Sequence, residues 1–214
     1  MPRVSAAHLT ARRQQILRAA AACFARKGFH QATMQDICDE AGLSPGAVYR
    51  YFASKLELIA ALCDDSLRRH TELISAAAQG RDFSGLADEV IAAYFGPGGE
   101  LEQDDKGALD LELIAEASRN PEIGAIGRRS FAGLRGIFAA LVASAQERGE
   151  IAPELDPQAV ATMALSFYHG LQIQKLLDPA IETQPYVAVM KALLGGRFRP
   201  TEAPVSASPA AHHR

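Results

Sequence analysis

Tryptophan is absent from these 214 residues, and cysteine occurs only three times. No window offers the roughly 18 to 20 uninterrupted apolar residues that a membrane span requires. Cys23, Cys38 and Cys63 are far apart and form no C-x-x-C pair, which argues against a disulfide framework or a zinc site and for reduced thiols in a cytoplasmic protein. The first fifteen residues, MPRVSAAHLTARRQQ, contain no apolar h-region, so no secretory signal is expected. The six histidines do not recur at metal-ligand spacing, and His212-His213 lie in an Ala/Pro/Ser-rich tail. Glu112 and Glu116 stand i, i+4, but no histidine follows either by three residues, so the di-iron bundle pattern is missing. There is no G-x-S-x-G, no Cys-His signature and no phosphate loop. These absences predict a protein that is not an enzyme and carries neither metal nor cofactor. Strict alternation of apolar and polar residues never persists, which predicts an all-α chain without strands.

What is present concentrates at Thr33 to Lys55, TMQDICDEAGLSPGAVYRYFASK. Thr33 with Asp36 three residues on has the form of a capping box over a helix from Met34 to Ala41. Gly42 stands where a helix needs a left-handed residue beyond its end, and Leu43 can plug the following corner. Ser44-Pro45 suits an N-cap and first helical position. It would open a short helix from Pro45 to Phe52, of which only Val48 and Phe52 need face inward. Ser54-Lys55-Leu56-Glu57 then reads as a second capping box opening a long helix. A short helix presenting Gly46, Ala47, Tyr49, Arg50 and Tyr51 outward suits the DNA major groove. Its small residues allow close approach, while Tyr and Arg reach phosphates and base edges. Charge agrees: residues 1–55 carry eight Lys/Arg against three acids, whereas the remainder carries fourteen against twenty-two.

AGLSPGAVYRYFASKLELIAAL resembles the DNA-binding segment of the TetR/AcrR family of bacterial transcriptional regulators, and RRQQILRAAAACFARKGFHQATMQDIC is similar to its first helix and the approach to its second. The resemblance is dense over about residues 10 to 62. It implies phosphate contacts from Tyr49 and Lys55, a backbone contact at Thr33, and base contacts from Arg50 or Gln35. Ser44, Pro45, Gly46, Ala47 and Tyr51 lie at the approach to the groove. It also implies about nine helices, with a helix-turn-helix head over residues 1–53. An effector-binding and dimerisation body over 54–199 would follow; apolar spacing through Leu58, Leu62, Leu67 and Ile74 marks 54–78 as a connecting helix, and Ala/Pro/Ser-rich composition marks 200–214 as a disordered tail.

Elsewhere the sequence predicts a loose arm at residues 1–9, then a helix from Arg12 to Lys27 with Ile16, Ala20 and Phe24 on one face and Gly28 at its end. Further helices are expected from Ser84 (as cap) to Phe95, Ala108 to Ser118, Asn120-Pro121 to Arg148, Asp156-Pro157 to Leu177, and Pro185 to Phe198. A glycine-rich loop should occupy Gly96 to Gly107. Val160, Met163 and Leu171 make one apolar stripe and Val189, Met190, Leu193 and Leu194 another, which together fit a homodimer interface of the kind the family forms. Phe95, Leu109, Leu113, Phe131, Leu134, Phe138, Phe167 and Tyr168 are candidates to line a pocket, with Glu112, Glu116 and His169 as polar groups that would orient an unidentified small-molecule effector. The resulting expectation is a homodimeric repressor that binds double-stranded operator DNA, makes no membrane association, and is released by a small, largely apolar effector. The alternatives are an activator of the same fold, or a helical enzyme or carrier with a vestigial DNA-binding head.

Overall fold

A computed structural model describes residues 6–77, 82–99 and 104–194, and all regular structure among these is helical. Nine helices occur among the described residues: α1 (Ala6–Gln31), α2 (Met34–Ala41), α3 (Pro45–Tyr49), α4 (Lys55–Ala77), α5 (Phe83–Phe95), α6 (Asp104–Ala117), α7 (Pro121–Glu147), α8 (Pro157–Leu177) and α9 (Thr183–Leu194). No helix among the described residues is long and apolar enough to cross a membrane.

The head follows its local signals closely. Thr33 Oγ1 accepts from Asp36 N at 3.1 Å and the Asp36 carboxylate accepts from Thr33 N at 3.0 Å, a complete capping box. Gly42 takes φ 63°, ψ 36° and closes α2. Ser44 occupies the N-cap of α3 without a side-chain cap bond, and Pro45 follows at the first position. The helix itself stops at Tyr49; Phe52 N still bonds Val48 O at 3.1 Å, so Arg50 to Phe52 continue as a turn. The second capping box forms in half: Ser54 Oγ accepts from Glu57 N, while the Glu57 carboxylate reaches Ala53 N one residue further back.

Five further boundaries differ from expectation. The helix α1 begins at Ala6, because Ala6 to Ala11 contains no glycine or proline to stop it, so the arm expected at 6–9 is helical. Gly28 breaks α1 at φ 72°, ψ 166°, but one further turn follows before it ends at Gln31. Asp82, not Ser84, caps α5, accepting from Gly85 N at 2.9 Å. Helix α6 starts at Asp104, inside the expected loop, since one interior glycine costs only about 1 kcal/mol. Asn120 and Asp156 cap α7 and α8 ahead of their prolines as expected. Helix α9 starts two residues early, with Pro185 in its first turn where the missing N–H has no partner to lose. Its expected end at Phe198, the 79–81 break, the middle of the glycine-rich loop and the tail lie outside the described residues.

Two cores result. The larger packs Ile16, Ala20, Cys23 and Phe24 of α1 against Ile37, Ala41, Val48, Phe52, Leu58 and Ile59, and continues into Leu113 of α6 and Ile123 and Ile126 of α7. The head is therefore seated on the body as well as joined to it by α4. The smaller core gathers Tyr94 and Phe95 of α5, Tyr168 and Leu171 of α8, and Val187 and Met190 of α9, with Phe138 and Phe167 packed against it.

Candidate nucleic-acid interface and internal cavity

Helix α3 buries Val48 and, just beyond its end, Phe52, while Pro45, Gly46, Tyr49 and Arg50 face solvent. Tyr49 keeps 50% of its surface exposed. A Cβ added at Gly46 would meet nothing within 4 Å, so the protein's own packing makes no demand for glycine there. Ala47 is half-buried, and Tyr51 is half-buried against the head core. Ser44, Thr33 and Gln35 are exposed; the Gln35 amide donates to Asp39 Oδ1 at 2.8 Å along α2.

Lys55 is already engaged. Its ammonium donates to His30 O at 3.2 Å and Ala32 O at 2.9 Å, closing the end of α1. That ties the start of α4 to α1 and leaves one of its three protons for a phosphate. Asp36 is held down to about 2 by the Lys27 ammonium, which donates to it at 2.7 Å, and by the Thr33 backbone and hydroxyl. Arg13 lies over the Phe52 ring, 5.4 Å from its centroid, bracing α1 against the end of the α3 turn.

Behind the head a cavity of about 230 Å³ opens between α1, α4, α6, α7 and α8. Six expected pocket residues line it: Leu109, Leu113, Phe131, Leu134, Tyr168 and His169. The other five do not. Phe95, Phe138 and Phe167 belong to the smaller core beneath. Glu112 turns to α1, where its carboxylate accepts from Phe29 N at 2.7 Å across the Gly28 break. Glu116 is half-buried, 3.8 Å from Arg119.

Much of the wall was not anticipated. Helix α4 contributes Ile59, Cys63, Ser66, Leu67 and His70, and α5 adds Tyr94. Positions 59, 63, 66 and 70 repeat at helical spacing, and that stripe was the available signal, obscured by its polar members. His70 and Tyr94 stack at 5.4 Å, Tyr94 meets Tyr168 edge-on at 5.3 Å, Tyr168 meets His169 at 5.3 Å, and Phe131 meets His169 at 5.1 Å. Burial pushes the Cys63 thiol up to about 11, so it stays protonated. On the α1 side sits Asp65, buried and bonded by Arg68, Arg69 and Gln14. Burial alone would raise its carboxyl; the hydrogen bonds of Arg68 and Gln14 and the Arg69 charge outweigh that and hold it low. Among the described residues no three His, Cys, Asp or Glu side chains converge as metal ligands would.

The expected interface stripes divide. Met163, Val189 and Leu193 are exposed and Val160 is half-buried, whereas Leu171 and Met190 are buried in the chain's own smaller core. The correction is one of packing: Leu171 and Met190 turn into the chain's own core against Tyr94, Phe95, Tyr168 and Val187, while their exposed neighbours do not. The side chain of Leu194 lies outside the described residues. Helix α8 adds exposed Ile173, Leu176 and Leu177, the last two 68% and 76% accessible.

Comparison with known proteins agrees with this geometry. Residues 16–62 match the family described as bacterial regulatory proteins, tetR family, and residues 86–199 match the BetI-type transcriptional repressor C-terminal domain. The chain is 27% identical over 184 residues to the HTH-type transcriptional regulator UidR of Escherichia coli, covering 86% of this chain and 91% of that one. Among solved structures, Salmonella enterica GusR is 25% identical with TM-score 0.72, covering 87% of this chain and 95% of that one. SmeT, in a complex with triclosan, shares the fold at TM-score 0.70 and 21% identity, covering 94% and 100% of the two chains.

Proposed function

Because the chain belongs to the TetR family of helix-turn-helix transcriptional regulators, we propose that it is a homodimeric repressor released from operator DNA by a small, largely apolar effector bound in the cavity behind its head. One observation carries the release step. Helix α4 starts directly behind the recognition turn, buries Leu58 and Ile59 in the head core, and then forms a cavity wall through Cys63, Leu67 and His70. A ligand that favours one tilt of α4 therefore alters where Tyr49 and Arg50 point.

The chain divides functionally into a DNA-binding head to residue 53 and an effector-binding and dimerising body from 54 to 199. A recognition helix of five residues offers little affinity alone, so two heads joined at operator spacing are needed. The exposed apolar residues Met163, Ile173, Leu176 and Leu177 on α8, with Val189 and Leu193 on α9, supply the joining face. Triclosan in SmeT supports an effector of this general kind.

The test is reciprocity. A gel shift on DNA upstream of the chain's own gene identifies the operator, and apolar small molecules are then screened for release. For any that bind, operator DNA must weaken binding by the factor by which the molecule weakens operator binding, typically about 5- to 150-fold for coupling of about 1–3 kcal/mol. Equal ligand affinity with and without operator overturns the release mechanism.

A further inference from the structure

Resting on the reading of this cavity as the effector site, we infer that the effector is a small aromatic ring system bearing a hydroxyl or N–H donor, with the ring among Phe131, Tyr94 and Tyr168 and the donor on His169 Nε2. The argument begins with the tautomer. His169 Nδ1 lies 2.8 Å from Leu165 O, one turn back in its own helix. A carbonyl oxygen only accepts, so Nδ1 carries the proton. Burial disfavours the imidazolium, against the opposing pull of that carbonyl. A neutral ring protonated at Nδ1 presents a bare lone pair at Nε2. With Nδ1 turned back to α8, Nε2 lies on the side away from the helix backbone, and His169 is part of the cavity wall. Among the described residues no donor is hydrogen-bonded to Nε2.

The walls then set what carries the donor. Phe131 and Tyr168 contact the His169 ring at 5.1 and 5.3 Å, and Tyr94 closes on Tyr168 at 5.3 Å. Ring faces and edges at these spacings favour a flat aromatic guest in offset or edge-on contact. Size narrows it further: a cavity of about 150 Å³ takes benzene, so about 230 Å³ takes two fused rings or one substituted ring.

The test uses 1-naphthol, 1-methoxynaphthalene and naphthalene with the full chain, measured by calorimetric titration. 1-Naphthol donates a hydrogen bond; its methyl ether has the same rings and only accepts. 1-Naphthol should bind the unmodified protein about tenfold or more tightly than the ether or the hydrocarbon, because those leave a buried acceptor unmet. His169→Phe keeps an aromatic ring and removes the acceptor, so the preference should collapse to about twofold or less. Equal binding of 1-naphthol and its ether by the unmodified protein, a preference that survives His169→Phe, or no binding of any of the three overturns this ligand class. The unmodified protein alone decides between ligands if the variant fails to fold. Operator binding is read separately. A His169-dependent preference with ligand affinity indifferent to operator DNA sinks release while the ligand class stands. Release by a molecule without a donor, as effective as by 1-naphthol, sinks the ligand class while release stands.

Discussion

The head and the cavity are both built from helices, but their functional residues are gathered in opposite ways. The head's outward surface comes from one run, Thr33 to Lys55, held by contacts mostly within a few residues: the Thr33–Asp36 box, the left-handed Gly42, the Pro45 start. The cavity takes its wall from α1, α4, α5, α6, α7 and α8, with Gln14 and His169 more than 150 positions apart. The caps of the head are local and need no partner from the body, although its core continues into α6 and α7. The cavity exists only when the tertiary packing is right. Perturbing one region should therefore leave the other measurable, and the sharpest tests separate the two.

The largest expected effect breaks the body and reads out at the head. Leu193→Glu alters an exposed residue of α9, so the isolated subunit tolerates it. If that face meets a second copy, an unpaired carboxylate is buried there, and the protein should sediment as a monomer. Operator affinity should then fall about 10²- to 10⁴-fold, since two half-site contacts are no longer joined. A variant that stays dimeric with parental operator affinity removes α9 from the joining face.

Arg50→Ala acts on the head alone. Arg50 is exposed, and its loss should cost roughly 1–3 kcal/mol of operator binding with relaxed preference at one base position. Melting temperature and 1-naphthol binding should not move. Uniform weakening across all DNA sequences would make Arg50 a phosphate contact instead.

Gly28→Ala attacks the seam between the two regions. Gly28 sits at φ 72°, ψ 166°, and an added Cβ would stand 2.6 Å from Glu112 Oε1, the carboxylate that caps Phe29 N. Backbone strain of about 1–3 kcal/mol should appear in chemical denaturation. An unchanged midpoint would mean that the fold does not require this backbone conformation at position 28.

The contrast also explains what could be read in advance. Thr33, Asp36 and Gly42 were legible because their partners lie within a few residues and glycine alone is cheap at positive φ. The Asp82 cap was misplaced by two residues because Asp82 and Ser84 are both good caps, and geometry chose between them. Phe138 and Phe167 were placed in the cavity and lie in the core beneath it. Helical period fixes which side of a helix is apolar, not which apolar neighbour it meets. His70 and Tyr94 were missed for the same reason reversed: a polar atom on an inward face reads as solvent-facing until a neighbouring helix covers it. Glu112 was expected at the ligand and works at the seam, a destination 83 residues away that no local pattern encodes.

Acid should loosen the head through Asp36. Asp36 sits at about 2 in the fold against about 3.9 unfolded, so its contribution is fully present above about pH 4 and is lost as pH falls through about 2. The stability gap between the parent and Asp36→Asn should be constant above pH 4 and shrink between pH 4 and 2. A gap that closes near neutral pH would assign the effect to another group.

The smallest expected change in stability comes from Gly46→Ala, and its sign separates protein from partner. In the free protein the new methyl meets nothing within 4 Å, and Gly46 does not occupy the positive-φ region. Replacing glycine by alanine in a helix then favours folding by up to about 0.5–1 kcal/mol, and a first-turn position should show the lower part of that range. Every packing argument within the chain therefore predicts a variant as stable as the parent or slightly more so. DNA predicts the reverse. Gly46 opens the recognition helix on its solvent face, between Pro45 and the exposed Tyr49, where a methyl group would hold the helix away from a groove wall. Operator affinity should fall while melting temperature holds or rises. If affinity holds too, the backbone at Gly46 does not come close to DNA, and the docking must pivot toward Tyr49 and Arg50.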